Sequence, residues 1–118
     1  MITAVFKESH GRYLTIIING HAQSAPEGQD LICAASSAFG FQAVQTVENM
    51  HYAGWLDTKP KIRIKKGDIH ISLKTKCEYH TVVINMLNVV AVGYQILAEK
   101  YPEHVQLTPF VKPSKATK

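Results

Sequence analysis

From Asp30 to Tyr52 the chain runs for about six helical turns without a proline. Ile32, Phe39, Ala43, Val47 and Met50 recur along it at helical spacing, so the segment is a long amphipathic helix with one stripe to bury. Cys33, Ser37, Gly40 and Val44 form an adjacent stripe at the rim of the buried face. A helix of this length needs a broad partner, and the runs on either side of it supply one. Residues 2–7 alternate Ile2, Ala4 and Phe6 against Thr3, Val5 and Lys7, the pattern of a half-buried strand. Ser9-His10-Gly11-Arg12 is a turn with Gly11 available for a positive φ, and Tyr13–Ile18 returns as the second strand of a hairpin. The consecutive Ile16, Ile17 and Ile18 suggest a strand covered on both faces, either central in the sheet or at an interface.

After a connection holding Trp55 and Leu56 between Gly54 and Pro60, Lys61–Lys65 and Ile69–Lys74 alternate again around Lys66-Gly67-Asp68 as a second hairpin. A second helix is expected from Glu78 to Tyr101, its apolar face made of Tyr79, Val83, Met86, Val90, Tyr94, Leu97 and Tyr101. Tyr101-Pro102 ends it, because a residue before proline avoids the α region. Val105–Phe110 is a last short strand that Pro109 confines to an edge. The order ββαββαβ implies an α+β fold with two helices packed on one face of a mainly antiparallel sheet. Residues 1–111 read as a single domain and residues 112–118 as a flexible basic tail.

Composition narrows the function classes. The 118 residues are 46% hydrophobic and 19% charged, as in an ordinary soluble globular domain. No apolar run reads as a membrane span, since Val82–Leu97 is interrupted by Asn85, Asn88 and Gln95. The N-terminus lacks the charged leader and apolar block of a signal peptide. Cys33 and Cys77 are expected to be free thiols in a reducing cytoplasm rather than a disulfide framework. The net charge of +4 includes Lys112, Lys115 and Lys118 of the tail, and the remaining chain carries only +1, so the basicity is weak evidence for a nucleic-acid partner.

The chemistry concentrates between Gly20 and Ser37. His21 ends an apolar strand, the loop Ala22-Gln23-Ser24-Ala25-Pro26-Glu27-Gly28-Gln29 offers little to anchor it, and Asp30 is a natural N-cap. With the helix opening at Asp30, Cys33 is its third residue, close to unpaired backbone N–H groups that favour thiolate over thiol. A loop that folds back brings His21 beside it as general acid and base, and the same N–H groups can stabilise an oxyanion. Ala34 and Ala35 leave room for a substrate backbone, and Ser37 lies one turn on. Taken singly these residues have plainer roles: a helical cysteine is commonly a small core residue, and an aspartate there a simple cap. Cys77-Glu78-Tyr79-His80 has ligand-like spacing without the second pair a closed zinc site needs, so no metal or cofactor is expected.

Taken together, Gly20-His21-Ala22, Gly28, Asp30-Leu31-Ile32-Cys33-Ala34 and Ser37 resemble the signature of the ribosomal-processing cysteine protease family, Prp. That resemblance implies His21 and Cys33 as the catalytic pair, with Gly20, Asp30 and Ser37 in support. It implies a cytoplasmic homodimeric endopeptidase that removes the N-terminal extension of a bacterial large-subunit ribosomal protein. An apolar substrate groove is then expected between the first helix and loop 22–29, the loop ordering when substrate binds. In the free protein this implies a mobile loop and a Cys33–His21 separation that can exceed hydrogen-bond reach. The isoleucine-rich strand and exposed-looking Tyr13, Trp55 and Phe110 are compatible with a partner subunit. The competing reading is a non-catalytic RNA or pre-ribosome binder using the basic strand 61–66 and the tail, although no stacking aromatics interleave those charges. A thiol redox protein is a third, for which Cys33 has no resolving cysteine nearby in sequence.

Overall fold

A computed structural model describes residues 1–20, 27–66 and 68–110, with residues 27–30 described as backbone only. The elements are β1 (Ile2–Ser9), β2 (Tyr13–Asn19), α1 (Glu27–Tyr52), β3 (Lys61–Lys65), β4 (Asp68–Lys74), a 3₁₀ turn at Cys77–Tyr79, α2 (His80–Lys100) and β5 (Val105–Thr108). The strands form one sheet in the order β3-β4-β2-β1-β5. Neighbours are antiparallel except β1 and β5, which run parallel and pair Ile2 with Val105 and Ala4 with Leu107. The α+β reading holds, and the parallel edge is an addition to it. That pairing follows from α2, which carries the chain back along the sheet before β5 is laid down, as a crossover between parallel strands must.

Both helices cover one face. From the sheet they meet Ile2, Ala4 and Phe6 of β1, Leu14, Ile16 and Ile18 of β2, and Ile69, Ile71 and Leu73 of β4, all buried. Every second residue points this way because the strand period is two. The alternate residues Val5, Ile17 and His70 lie side by side on the other face, half-buried, with no described element over them. β2 is therefore central, as its isoleucines imply, but Ile17 is not covered as Ile16 and Ile18 are.

Helix α2 buries Val83, Leu87, Val90, Ala91, Tyr94 and Leu97. Met86 and Tyr101, expected on that stripe, are 41% and 43% exposed. The helix is apolar around most of its circumference, so periodicity alone locates its buried face only to within a residue. With the turn before it, the segment Cys77–Lys100 is long and apolar enough by length and composition to cross a membrane, contrary to the sequence reading. Its packing explains the composition: one face closes the core between the sheet and α1.

Helix α1 begins at Glu27, three residues before the expected N-cap. Asp30 is therefore inside the first helical turns, and Glu27, Gly28 and Gln29 belong to the helix rather than to the loop. An acidic residue suits the first turn as well as the cap, because both positions face the positive end of the helix dipole. The tail 112–118 lies outside the described residues.

Candidate active site

At one end of the sheet the N-terminal half of α1 crosses the start of β1 and the end of β2. A pocket of about 100 Å³ opens there, walled by Ile2, Ile18 and Ile69 from the sheet floor and by Ile64 of β3. Cys33, Ser36, Ser37 and Phe41 of α1 close its other side, and Gly20 stands at its edge. Of the residues singled out from the sequence, Gly20, Cys33 and Ser37 are brought to this one pocket. His21 and Ala22, Gln23, Ser24, Ala25 and Pro26 lie outside the described residues, as do the expected mobility of that loop and the Cys33–His21 separation. Nothing is described of the side chains of Glu27, Gln29 and Asp30.

Cys33 is a half-buried thiol packed against the core, whereas Cys77 is exposed. Because α1 starts at Glu27, Cys33 is its seventh residue. The unpaired N–H groups of the helix terminus belong to the residues before it, so the expected first-turn placement gives way to one a turn further in. The Cys33 side chain packs against the core at the pocket wall.

Gly20 is held by two constraints. Its φ is +99°, and a Cβ there would lie 2.1 Å from the carbonyl oxygen of Met1. Its N–H donates to Oδ1 of Asp68 at 3.1 Å. Only glycine permits both the positive φ and the close approach of the N-terminal backbone.

Ser36 and Tyr94 were not legible as a pair. Ser36 lies in the buried stripe of α1, between Ile32 and Gly40. The Tyr94 hydroxyl donates to the Ser36 carbonyl at 2.6 Å, and the Ser36 hydroxyl donates back to the Tyr94 oxygen at 3.3 Å. Burial pushes the Tyr94 phenol up to about 12 against the opposing pull of its bond to Ser36, so it remains a neutral donor. The one available signal was a serine at a core position of an amphipathic helix. Phe41 and Ile64 were also missed as pocket residues; they are 54% and 48% exposed, and only tertiary packing sets them beside Cys33.

Other expectations resolve away from the pocket. Trp55 is half-buried and stacks on Tyr79 at 5.5 Å and 11°, and Phe110 packs edge-on against Phe6 at 5.4 Å. Neither is the open apolar surface expected; Tyr13 is, at 45%. In the Cys77–His80 segment, His80 Nε2 meets Glu8 at 2.5 Å and its Nδ1 meets Thr75 at 2.8 Å. Among the described residues no group of three His, Cys, Asp or Glu is placed to hold a metal ion.

Residues 1–106, from the first strand into the last, match the cysteine protease Prp family. The chain belongs to that family. It is a cysteine-type peptidase. The ribosomal processing cysteine protease Prp of Staphylococcus aureus is 25% identical over 91% of this chain and 97% of that protein. Solved structures share the fold. An S. aureus Prp structure with a covalently linked product peptide superposes with a TM-score of 0.65 at 24% identity, covering 92% of this chain and 99% of that one. A Streptococcus mutans protein gives 0.65 at 23%, covering 95% and 96%.

Proposed function

We propose that this Prp-family peptidase removes the N-terminal extension of a bacterial large-subunit ribosomal protein in the cytoplasm, with Cys33 as nucleophile and His21 as its acid and base. The observation that carries the reading is the coincidence of the family match with a cysteine at position 33 on the wall of an apolar pocket. The S. aureus relative that matches over nearly its whole length is a ribosomal processing protease, which supports the substrate class.

The Cys33 sulfur forms a bond to the scissile carbonyl carbon, and His21 holds the thiol proton. The tetrahedral intermediate collapses as the C–N bond breaks and His21 passes that proton to the leaving amine. Water then attacks the thioester with His21 as base, releasing the new carboxylate and regenerating the thiol. The isoleucine wall and Phe41 favour an apolar side chain beside the cleaved bond, since burying such a chain is favourable by about 1.5–3 kcal/mol. Gly20 and Ser37 border the reacting sulfur, and Asp30 supports the start of the helix.

The same reading includes a homodimer. Val82, Met86, Val89 and Ile96 of α2 are 39%, 41%, 65% and 48% exposed and recur at helical spacing, a stripe that runs past Gly93 alongside α1. A contiguous apolar stripe on a small domain suits an isologous helix-to-helix contact. Val89→Lys is expected to convert a dimer into a monomer in light scattering.

The deciding experiment incubates the protein with a large-subunit ribosomal protein bearing its N-terminal extension and reads products by mass spectrometry. One cut is expected with the wild type and none with Cys33→Ala. Cleavage by Cys33→Ala would overturn the reading.

A further inference from the structure

The proposed chemistry leaves the Ser36–Tyr94 pair unused, although it lies one helical turn from the nucleophile. Along residues 31–42 of α1 the buried positions are Ile32, Ser36 and Gly40, of which only Ile32 has a large apolar side chain. The second half of the helix has Ala43, Val44, Val47 and Met50 to bury. The half that presents Cys33 thus buries fewer large apolar side chains completely, with Cys33, Ala35 and Phe39 packed half-buried against the core, and a polar attachment occurs at its centre. Two hydrogen bonds join Tyr94 to Ser36, one to the carbonyl and one from the hydroxyl. Two bonds between the same residues restrain both the slide and the roll of α1 against α2.

The anchor itself is closely packed. Tyr94 is fully buried, with Phe6 at 6.1 Å and Phe39 edge-on at 5.6 Å. A Cβ on Gly93 would sit 3.1 Å from the Phe39 ring, so the helices are closely apposed at this crossing. The Ser36 carbonyl has a second lone pair beyond the one its own helix uses, so the phenol bond adds placement rather than repairing an unmet acceptor.

We propose that Tyr94 is a positioning residue for catalysis: through Ser36 it sets the depth at which the Cys33 sulfur is presented to the pocket. This rests on Cys33 being the reactive thiol. A displacement of about 1 Å at a reacting centre can cost up to about a hundredfold in rate, so a loosened helix turn is felt in kcat before KM.

The test uses the full chain carrying Cys77→Ser, so that alkylation reports Cys33 alone. Iodoacetamide alkylation needs no peptide substrate, and it separates failure of this inference from failure of the proposed substrate. In Tyr94→Phe the expected result is a change of at least about threefold in alkylation rate. Peptide cleavage should show a fall of about tenfold in kcat with KM within about twofold. Ser36→Ala, which keeps the phenol-to-carbonyl bond, should show a smaller loss in the same direction and decides the matter if Tyr94→Phe fails to fold. Val90→Ala, a core truncation in α2 away from the pocket, should lower the thermal midpoint and leave both rates unchanged. The inference is overturned if folded Tyr94→Phe or, failing that, Ser36→Ala alkylates at the parent rate, or if Val90→Ala reproduces the rate losses.

Discussion

Two buried hydroxyl residues are secured at opposite ends of the sheet, and in different ways. Ser36, at the pocket end, is bonded to the uncharged phenol of Tyr94 inside an aromatic cluster. Thr75, just past β4 at the far end, meets His80 at 2.8 Å, and His80 reaches Glu8. Arg12 donates to the Thr75 carbonyl and to Asp57, each at 2.8 Å. The side chains of Arg12 and Asp57 are 35% and 32% exposed. The far end is thus tied largely by ionic pairs that feel salt, whereas α1 at the pocket end is joined to α2 by uncharged groups. On the proposed function, a geometry that presents one thiol to a substrate is better fixed by a neutral, fully buried contact. A hairpin end that only needs tethering tolerates an ionic one.

The largest way to test this contrast is at the pocket end. Gly20→Ala places a Cβ against the Met1 carbonyl at a φ of +99°. A loss of about 2–4 kcal/mol in urea-unfolding stability is expected, together with loss of cleavage. Thr75→Val removes a buried hydroxyl while keeping the shape. It should cost about 1–2 kcal/mol and leave kcat unchanged, a drop in kcat being the outcome that would break the separation of the two ends.

Gly40→Ala is subtler. Its Cβ would come within 2.5 Å of the tip of Ile69, which lines the pocket and has a movable end. Alanine favours the helix by about 1 kcal/mol, so stability should move by less than about that amount while KM rises several-fold as Ile69 is pushed into the pocket. Smallest is the acid response of Asp57. The hydrogen bond from Arg12 is the main influence holding its carboxyl below the ordinary carboxylate range, with the charges of Arg12 and Lys74 adding to it against some desolvation. The stabilisation from this lowered value is present above the unfolded carboxylate's range and is lost as pH falls through the folded one. Asp57→Asn should therefore lower stability slightly at neutral pH and flatten its decline in acid, as followed by thermal melts. An unchanged acid decline would remove Asp57 from the far-end tether.

Much of this architecture was legible because strand and helix periods are local properties. The hairpins around Gly11 and Lys66, the long α1 and the edge strand after Pro102 all follow from alternation and punctuation within a few residues. Cys33 was legible as the candidate nucleophile because its neighbours in sequence carry the motif. The start of α1 was not, since Asp30 suits a cap and a first turn equally. The buried side of α2 was only half legible, because a helix apolar on most sides has no sharp stripe.

By itself, then, the sequence determined the order of elements and the family, both of which depend on residues close together in the chain. The tertiary structure alone decided that Ile64 and Phe41 flank the pocket, that β5 pairs parallel with β1, and that Ser36 is bonded to a tyrosine 58 positions away. The physical reason is that a polar residue within an apolar stripe gains its meaning only from its partner, and packing rather than periodicity chooses that partner.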